Sequence, residues 1–324
     1  MSTAIDVVCF GELLWDFYEA DSRADMDPIA RQFRREIGGA SANVAVALAR
    51  LGIRVAVAGG IGDDKLGAAL EGALSAEGID TSRIVRLAAS TGITFVTQTA
   101  TGEASFVPYR SGTADALLGA GDITAAMAKA RFAVVSSTSM LPSTRDATEK
   151  FLAAVDKAKG DVVVDLNVRA HLWADAEQMQ SAVKELVARA SLVKASERDL
   201  AALAGKRGIS WLDENAKNAT WILTRGDKGA AAVGPHGQAN SSTKRVRCVD
   251  RTGAGDAFLA GALAVIVKAG AKPGGTEWKD IKLWTRALEV GHLLAARAVV
   301  AQGATVGVTR LDDVKARLLA TKKA

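Results

Sequence analysis

A doubly wound, mostly parallel α/β sheet flanked by helices, with a small β-sheet lid outside it, is the fold the sequence predicts. Three observations carry this reading. Short, near-continuously apolar runs alternate with amphipathic stretches along the chain, the pattern of a parallel sheet covered by helices on both faces. Hydrophobic residues make up 49% of the chain but aromatics only 5%, a palette dominated by Ala, Val and Gly that suits helices packed on strands. Two segments break the alternation and read as additional strands.

In chain order the strands are IDVVCF (5–10), VAVAG (55–59), FAVVSS (132–137), DVVVDL (161–166), SLVKA (191–195) and TWILT (220–224). Helices are predicted near 41–51, 65–76, 144–158, 177–189 and 197–204. A further helix follows from AFLAGALAVIVKAG (257–270), rich in Ala, Leu and Val and free of Pro. Residues 1–11, 38–90 and 111–324 form the expected main α/β domain, and 12–37 with 91–110 the lid. The lid assignment rests on TGITFVTQTATGEASFVPYR (91–110), which alternates like a hairpin turning near Thr101-Gly102 and is too apolar to lie free. The stretch from Arg310 to Ala324 reads as a closing amphipathic helix.

At 324 residues the chain fits one large α/β domain or a domain plus an appendage. Its net charge of +5 is scattered. The densest basic run, Lys244, Arg245, Arg247 and Arg251, has no aromatic interleaving and reads as a solvated strand edge, so nucleic-acid binding is not expected. Cys9 and Cys248 both lie in apolar strand-like runs, and two buried reduced thiols fit a reducing cytosol. No run of 18 uncharged apolar residues and no signal-peptide core is present, so a soluble cytoplasmic protein without membrane contact is expected. His171, His236 and His292 are far apart, which disfavours a His-built zinc site or a Ser-His-Asp triad.

The most informative segment is Asp250-Arg251-Thr252-Gly253-Ala254-Gly255-Asp256, which runs directly into the late apolar helix. A Gly-rich turn opening a helix aims free N–H groups and a positive dipole end at one point, where an anion is favoured. Asp256 falls in the first turn, where the same field favours its ionised form. An anion cradle beside a carboxylate is equipment for moving a phosphoryl group onto a hydroxyl. An N-cap with a tight helix entry is the plainer reading of the same residues. In a doubly wound sheet ligands bind at the carboxyl ends of the strands, so Gly11–Asp16, Asn167–Arg169, Ser196–Asp199 and Thr224–Gly229 are candidate rim loops. GGIGDDKLG (59–67) fails as a dinucleotide fingerprint, because Lys65 stands where the third Gly belongs and no acidic residue ends a second strand about 20 residues on. A Walker A ending is also absent. A second cluster, EIGGASANVAVALARLG (36–52), places Gly38, Gly39 and Asn43 at a strand-to-helix junction. There an amide that both donates and accepts suits hydroxyl groups.

The pair GGASANVAVALARLG and DRTGAGDAF, in this order and separation, resembles the two signatures of the PfkB, or ribokinase-like, carbohydrate kinases, over roughly residues 5–310. The resemblance implies an ATP-dependent sugar kinase with an α/β domain and a β-sheet lid. Residue by residue, it makes Asp256 the catalytic base and Gly253, Ala254 and Gly255 the anion hole. It gives Asp16, Gly38, Gly39 and Asn43 to the sugar, and Thr224, Gly226 and Gly229 to the nucleotide. Asp250 and Thr252 resemble the start of a monovalent-cation (K⁺) loop that Gly303 completes. The family's Asn-x-x-Glu appears here as Ser196-Glu197-Arg198-Asp199. The hydroxyl of Ser196 then serves the nucleotide, and Asp199 serves Mg²⁺ through water. A homodimer through the lid is implied by relatives.

GELLWDF, SFVPYRSGTADALL and DLNVRAHLW look similar to bacterial fructokinases and also to 2-keto-3-deoxygluconate kinases. Arg110, Asn167 and Arg169 are the added sugar-site candidates. Two guanidinium groups suit a carboxylate, but fructokinases carry arginines in the same motifs, and fructose is the expected sugar. Arg169 bonding Asp165 or strand-end carbonyls is the structural alternative. A non-catalytic sugar sensor disagrees with the intact Asp256 loop. A nucleoside kinase would need more of a stacking wall than Phe95, Phe106 and Tyr109.

Overall fold

The computed structural model describes residues 4–20, 32–98, 104–308 and 314. The expected turn at Thr101-Gly102, residues 21–31 of the expected lid and nearly all of the stretch from Arg310 onward lie outside the described residues. The elements run β1 (Val7–Phe10), β2 (Leu14–Glu19), β3 (Phe33–Gly38), α1 (Ala40–Arg50), β4 (Val55–Gly62), α2 (Lys65–Ala76) and β5 (Asp80–Leu87). They continue with β6 (Gly92–Gln98), β7 (Ala104–Tyr109), α3 (Ala114–Leu117), β8 (Phe132–Ser136), α4 (Arg145–Lys157), β9 (Asp161–Asp165), α5 (Ala176–Ala188) and β10 (Ala190–Ser196). The described chain then forms α6 (Glu197–Ala204), α7 (Gly208–Asn215), β11 (Thr220–Thr224), β12 (Ala230–Gly234), β13 (Gly237–Ser241), α8 (Ala254–Lys268) and α9 (Ile281–Ala298).

Nine strands form the main sheet in the order β13-β12-β11-β10-β9-β8-β1-β4-β5. It is parallel from β11 to β5, and β12 and β13 extend it antiparallel. Alternation along each strand feeds two cores. Val7 and Cys9 of β1 join the layer of α1, α2, α8 and α9, and Val8 and Phe10 join the layer of α4 to α7. The late helix α8 is buried at every position from Ala257 to Val267, as an all-apolar helix must be.

Each of the six expected strands and six expected helices is present, within a few residues of its expected ends. The outer strands β5, β12 and β13 were not expected. DTSRIVRL mixes charges into its pattern, and AAAVG and GQANS use residues of low strand propensity. The glycines of GGIG fall inside β4 rather than in a phosphate loop. A Cβ at Gly59, Gly60 or Gly62 would meet the carbonyl of Gly11, Ala114 or Ala89 at 2.3–2.5 Å, so they serve close packing.

A second sheet has the order β3-β2-β6-β7 and is antiparallel except for the β2–β6 pair. Register puts Asp16 beside Glu36 and Thr94 on one face. Phe17, Phe33, Phe95 and Tyr109 form an aromatic cluster with centroids 4.9–5.6 Å apart, and cross-strand pairing of Phe17 with Phe95 assigns it to the opposite face. One expectation fails. Cys9 is buried, but Cys248 is exposed. Strand β13 ends at Ser241, and the segment after it is irregular and kept in solvent by Lys244, Arg245 and Arg247.

Candidate active site

Parallel register sets the carboxyl ends of the central strands along one edge. Ser136 pairs with Asp165, Asp165 with Lys194, and Ser196 with Thr224, so the predicted rim loops share that edge. Asn167, just past β9, has φ 35°, a left-handed conformation that Asn tolerates better than most side chains.

The loop before α8 is built as its sequence suggests. Gly253 is the N-cap with φ 73°, which favours glycine. The N–H groups of Gly253, Gly255 and Asp256 have no partner among the described residues. Asp256 is half-buried, and Asn43 Nδ2 donates to its Oδ2 at 2.9 Å. Asn43 Oδ1 is buried without a partner among the described residues, an open acceptor beside the carboxylate. The helix dipole was expected to keep Asp256 ionised. Burial, reinforced by the charge of Asp165, pushes its carboxyl up to about 6, against lowering by Asn43, Lys194 and Arg169, and the group stays mostly ionised at neutral pH. Burial is the largest cause of the shift, and the neighbouring Asp165 charge adds to it.

Asp16 reaches the same cleft from β2. It is buried, and burial with the charges of Glu12, Asp256 and Asp250 raises its carboxyl to about 7. Gly38 makes room for it, since a Cβ there would stand 2.5 Å from Asp16 Cγ. Gly39, at φ 93°, packs on the Glu12 carbonyl. Asp250 accepts from the Thr252 N–H and hydroxyl through Oδ1 and from the Gly303 N–H through Oδ2, at 2.7–2.9 Å. The three residues of the expected cation loop therefore meet. Tyr18 of β2 is buried beside Thr252 and Ala304, and burial raises its phenol.

Arg110 meets the site differently from expectation. Its Nη1 pairs with Glu12 Oε2 at 2.7 Å, and its Nε and Nη2 fork onto Asp115 Oδ2 at 2.7 Å. One guanidinium thus answers two carboxylates. Arg169 is exposed, and its charge reaches Asp165 and Asp256. It has no hydrogen bond to Asp165 among the described residues.

At the other end of the edge, Ser196 and Asp199 form a capping box on α6. Asp199 Oδ2 accepts from the Ser196 N–H and hydroxyl, and Oδ1 accepts from the Val168 N–H at 2.8 Å. Thr224 donates to the Ala195 carbonyl at 3.3 Å. Gly226 and Gly229 have φ 58° and 97°, and a Cβ on Gly229 would strike the Ser241 carbonyl at 2.3 Å.

Sequence reasoning missed Lys194, Asp165, Glu12 and Asp115. Lys194 had a signal, since it is the lone charge in the apolar run SLVKA, and Asp165 had a weaker one, as a charge at the carboxyl end of DVVVDL. Glu12 lay within the candidate rim loop Gly11–Asp16 and Asp115 five residues after Arg110, but nothing in the sequence marked either as a partner of Arg110.

The glycine-rich mouth of α8 with the Asp256 carboxylate beside it, at the carboxyl edge of a doubly wound sheet accompanied by a small second sheet, is an arrangement suited to a phosphotransferase. The chain belongs to the pfkB family of carbohydrate kinases, whose model matches residues 4–310. It is 32% identical over 271 residues to fructokinase-2 of Solanum habrochaites, covering 81% of each chain. Fructokinase from Vibrio cholerae O395, in a fructose-, ADP- and calcium-bound form, superposes with a TM-score of 0.81 at 26% identity, covering 97% of this chain and 99% of that one. Aminoimidazole riboside kinase from Salmonella enterica, complexed with aminoimidazole riboside and an ATP analogue, gives 0.80 at 25% identity, covering 97% and 99%. Among the described residues, no helix is long and apolar enough to cross a membrane.

Proposed function

We propose that this kinase transfers the γ-phosphoryl group of ATP to a primary hydroxyl of a small neutral keto-sugar, with fructose as its substrate. One observation carries the choice of sugar. Arg110, the guanidinium best placed by sequence to greet a substrate carboxylate, is held between Glu12 and Asp115. That trio has a net negative charge and stands beside Asp16. A carboxylate arriving there meets repulsion, whereas hydroxyl groups find acceptors. Similarity to fructokinases points the same way. The acid reading, a 2-keto-3-deoxygluconate kinase, rests on exposed Arg169 alone.

In this reading Asp256 accepts the hydroxyl proton on Oδ1, while the Asn43 amide on Oδ2 fixes the carboxylate. The Gly253–Gly255 amides hold the charge that develops on the transferring group. Asp16, Asn43 Oδ1, Gly38 and Gly39 place the sugar, and Thr224, Ser196, Gly226 and Gly229 border the nucleotide. Mg²⁺, when bound, would neutralise phosphate charge. Asp199 Oδ1 carries a single hydrogen bond, so it fits a role as acceptor for a metal-bound water. Asp250 would support a K⁺ loop by joining Thr252 to Gly303. Segments 12–37 and 91–110 act as a lid that excludes water from the cleft. Its β7 edge, with Phe106, Val107 and Tyr109 exposed, is the surface for a homodimer in the cytoplasm. Initial rates with ATP on fructose and on 2-keto-3-deoxygluconate, measured side by side, test the assignment. A preference for fructose is expected, and a preference for the acid overturns it.

A further inference from the structure

Lys194 is the anomaly of β10. Leu192, Val193 and Ala195 around it are buried and apolar, and Lys194 itself is 4% exposed. Its Nζ donates to Asp165 Oδ1 and Oδ2 at 2.9 and 3.2 Å, across the parallel register. The fold does not require such a pair, since apolar residues of similar volume often serve a core as well or better. Its neighbour supplies the reason for it. A Cβ on Gly255 would lie 2.7 Å from Lys194 Nζ. Gly255 sits in the first turn of α8 without a left-handed φ, so its backbone does not call for glycine, and Ala would be the better helix former. Space for the ammonium explains the glycine. Asp165 in turn prevents the ammonium from swinging away.

We propose that Lys194 is a positioning residue for phosphoryl transfer: held by Asp165, its ammonium backs the Gly253–Gly255 loop, sets where the loop's amides point and adds positive charge beneath them. The inference rests on the phosphoryl-transfer reading of that loop. The charged groups around it come from every neighbouring element. Asp256 is faced by Asn43 from α1, Asp16 from β2, Asp165 and Arg169 from the end of β9, and Lys194 from β10. Lys194 is faced by Asp165, Asp199 and Asp256.

Lys194→Met alone strands a buried Asp165 charge and can fail to fold. The informative variant is therefore Lys194→Met/Asp165→Asn, which removes both charges together. Circular dichroism checks its fold, and steady-state kinetics with ATP and sugar read its function. The expected result is a kcat lower by about 10- to 100-fold with the sugar KM within about twofold, the signature of a displaced catalytic loop. Gly255→Ala is expected to lower kcat in the parent enzyme but to add little in the double variant, where the space has been vacated. A folded double variant with parental kcat, or Gly255→Ala losses that multiply undiminished in both backgrounds, overturns the proposal. Asp256→Asn, run in parallel, separates this result from the base assignment. Parental turnover in that variant would remove Asp256 as the base while leaving the Lys194–Gly255 coupling readable on its own.

Discussion

Replacing Asp16 with Asn should stabilise the protein while disabling it, and the gain should depend on pH in a defined way. Asp16 is 6% exposed. Its carboxyl titrates at about 7 in the fold, against an ordinary 3.8, because of burial first and then Glu12, Asp256 and Asp250. A folded value above the unfolded one means that folding favours the neutral acid. That preference is fully present below the unfolded value and is lost as pH rises through 7. Each tenfold difference in proton affinity is worth about 1.4 kcal/mol, so a thousandfold-tighter proton penalises the folded state by about 4 kcal/mol at pH 8. At pH 5 the penalty is about 2 kcal/mol, and at pH 3 it vanishes. Asn never ionises and keeps a polar head in the space Gly38 leaves. Asp16→Asn should therefore gain up to about 4 kcal/mol at pH 8, half of that at pH 5 and nothing at pH 3. Sugar binding should weaken by about 10- to 100-fold through loss of a charge-assisted hydrogen bond. Urea unfolding followed by tryptophan fluorescence at the three pH values, with sugar KM at pH 8, measures both. A gain equal at all pH values, or a loss at pH 8, would refute the picture of a strained buried carboxylate kept for binding.

Asp256→Asn should lower turnover by about 10²–10⁴-fold and leave sugar affinity nearly intact; near-parental turnover would remove Asp256 as the base. In the parent enzyme, kcat should fall on the acid side with a midpoint near pH 6. Asn43→Ala should move that midpoint upward, because the lost amide bond favours the ionised form, and a downward or absent shift in the rate profile would contradict this. Gly253→Ala combines an unfavourable φ of 73° with a Cβ 2.4 Å from the Ala304 carbonyl; it should cost about 1–3 kcal/mol in a urea titration, and an unchanged midpoint would refute the clash. Glu12→Gln relieves Arg110 of one of its two carboxylates, so the rate on 2-keto-3-deoxygluconate relative to fructose should rise. An unchanged ratio would mean that the trio does not set the charge preference.

The strands and helices legible in the sequence were those whose apolar pattern was continuous. DVVVDL and TWILT could be read because both faces of a central parallel strand are buried. GQANS could not, because a short antiparallel edge strand asks little of its side chains. The site was legible where chemistry is local, as in the run from Asp250 to Asp256. It was illegible where chemistry depends on which way a side chain turns: Arg110 has the same sequence signature whether it faces a ligand or is bracketed by nearby Asp115 and distant Glu12. Asn43 was legible as a polar group at a helix start, but its bond to Asp256, 213 positions away, required the fold. The raised proton affinity of Asp256 was illegible for the same reason. A helix dipole can be inferred from the chain, whereas the Asp165 carboxylate that opposes it arrives from another strand.

The glycines of the late loop show how close approach serves two sides at once. Bare backbone suggests a ligand lying against it from the front. Yet the positions where Cβ atoms would stand are already claimed from behind, at Gly253 by Ala304 and at Gly255 by Lys194. The loop is therefore not an open cradle but a clamped one, with its rear packed by protein and the N–H groups of Gly253, Gly255 and Asp256 left without partners among the described residues. This matters for phosphoryl transfer, which depends on positioning and charge more than on covalent help. Amides held rigidly before the phosphoryl group arrives need no reorganisation as charge develops. A looser loop with the same glycines would lose that advantage. Glycine at 253 and 255 is thus demanded by the packing that holds the amides in place as much as by the phosphoryl group proposed to lie against them.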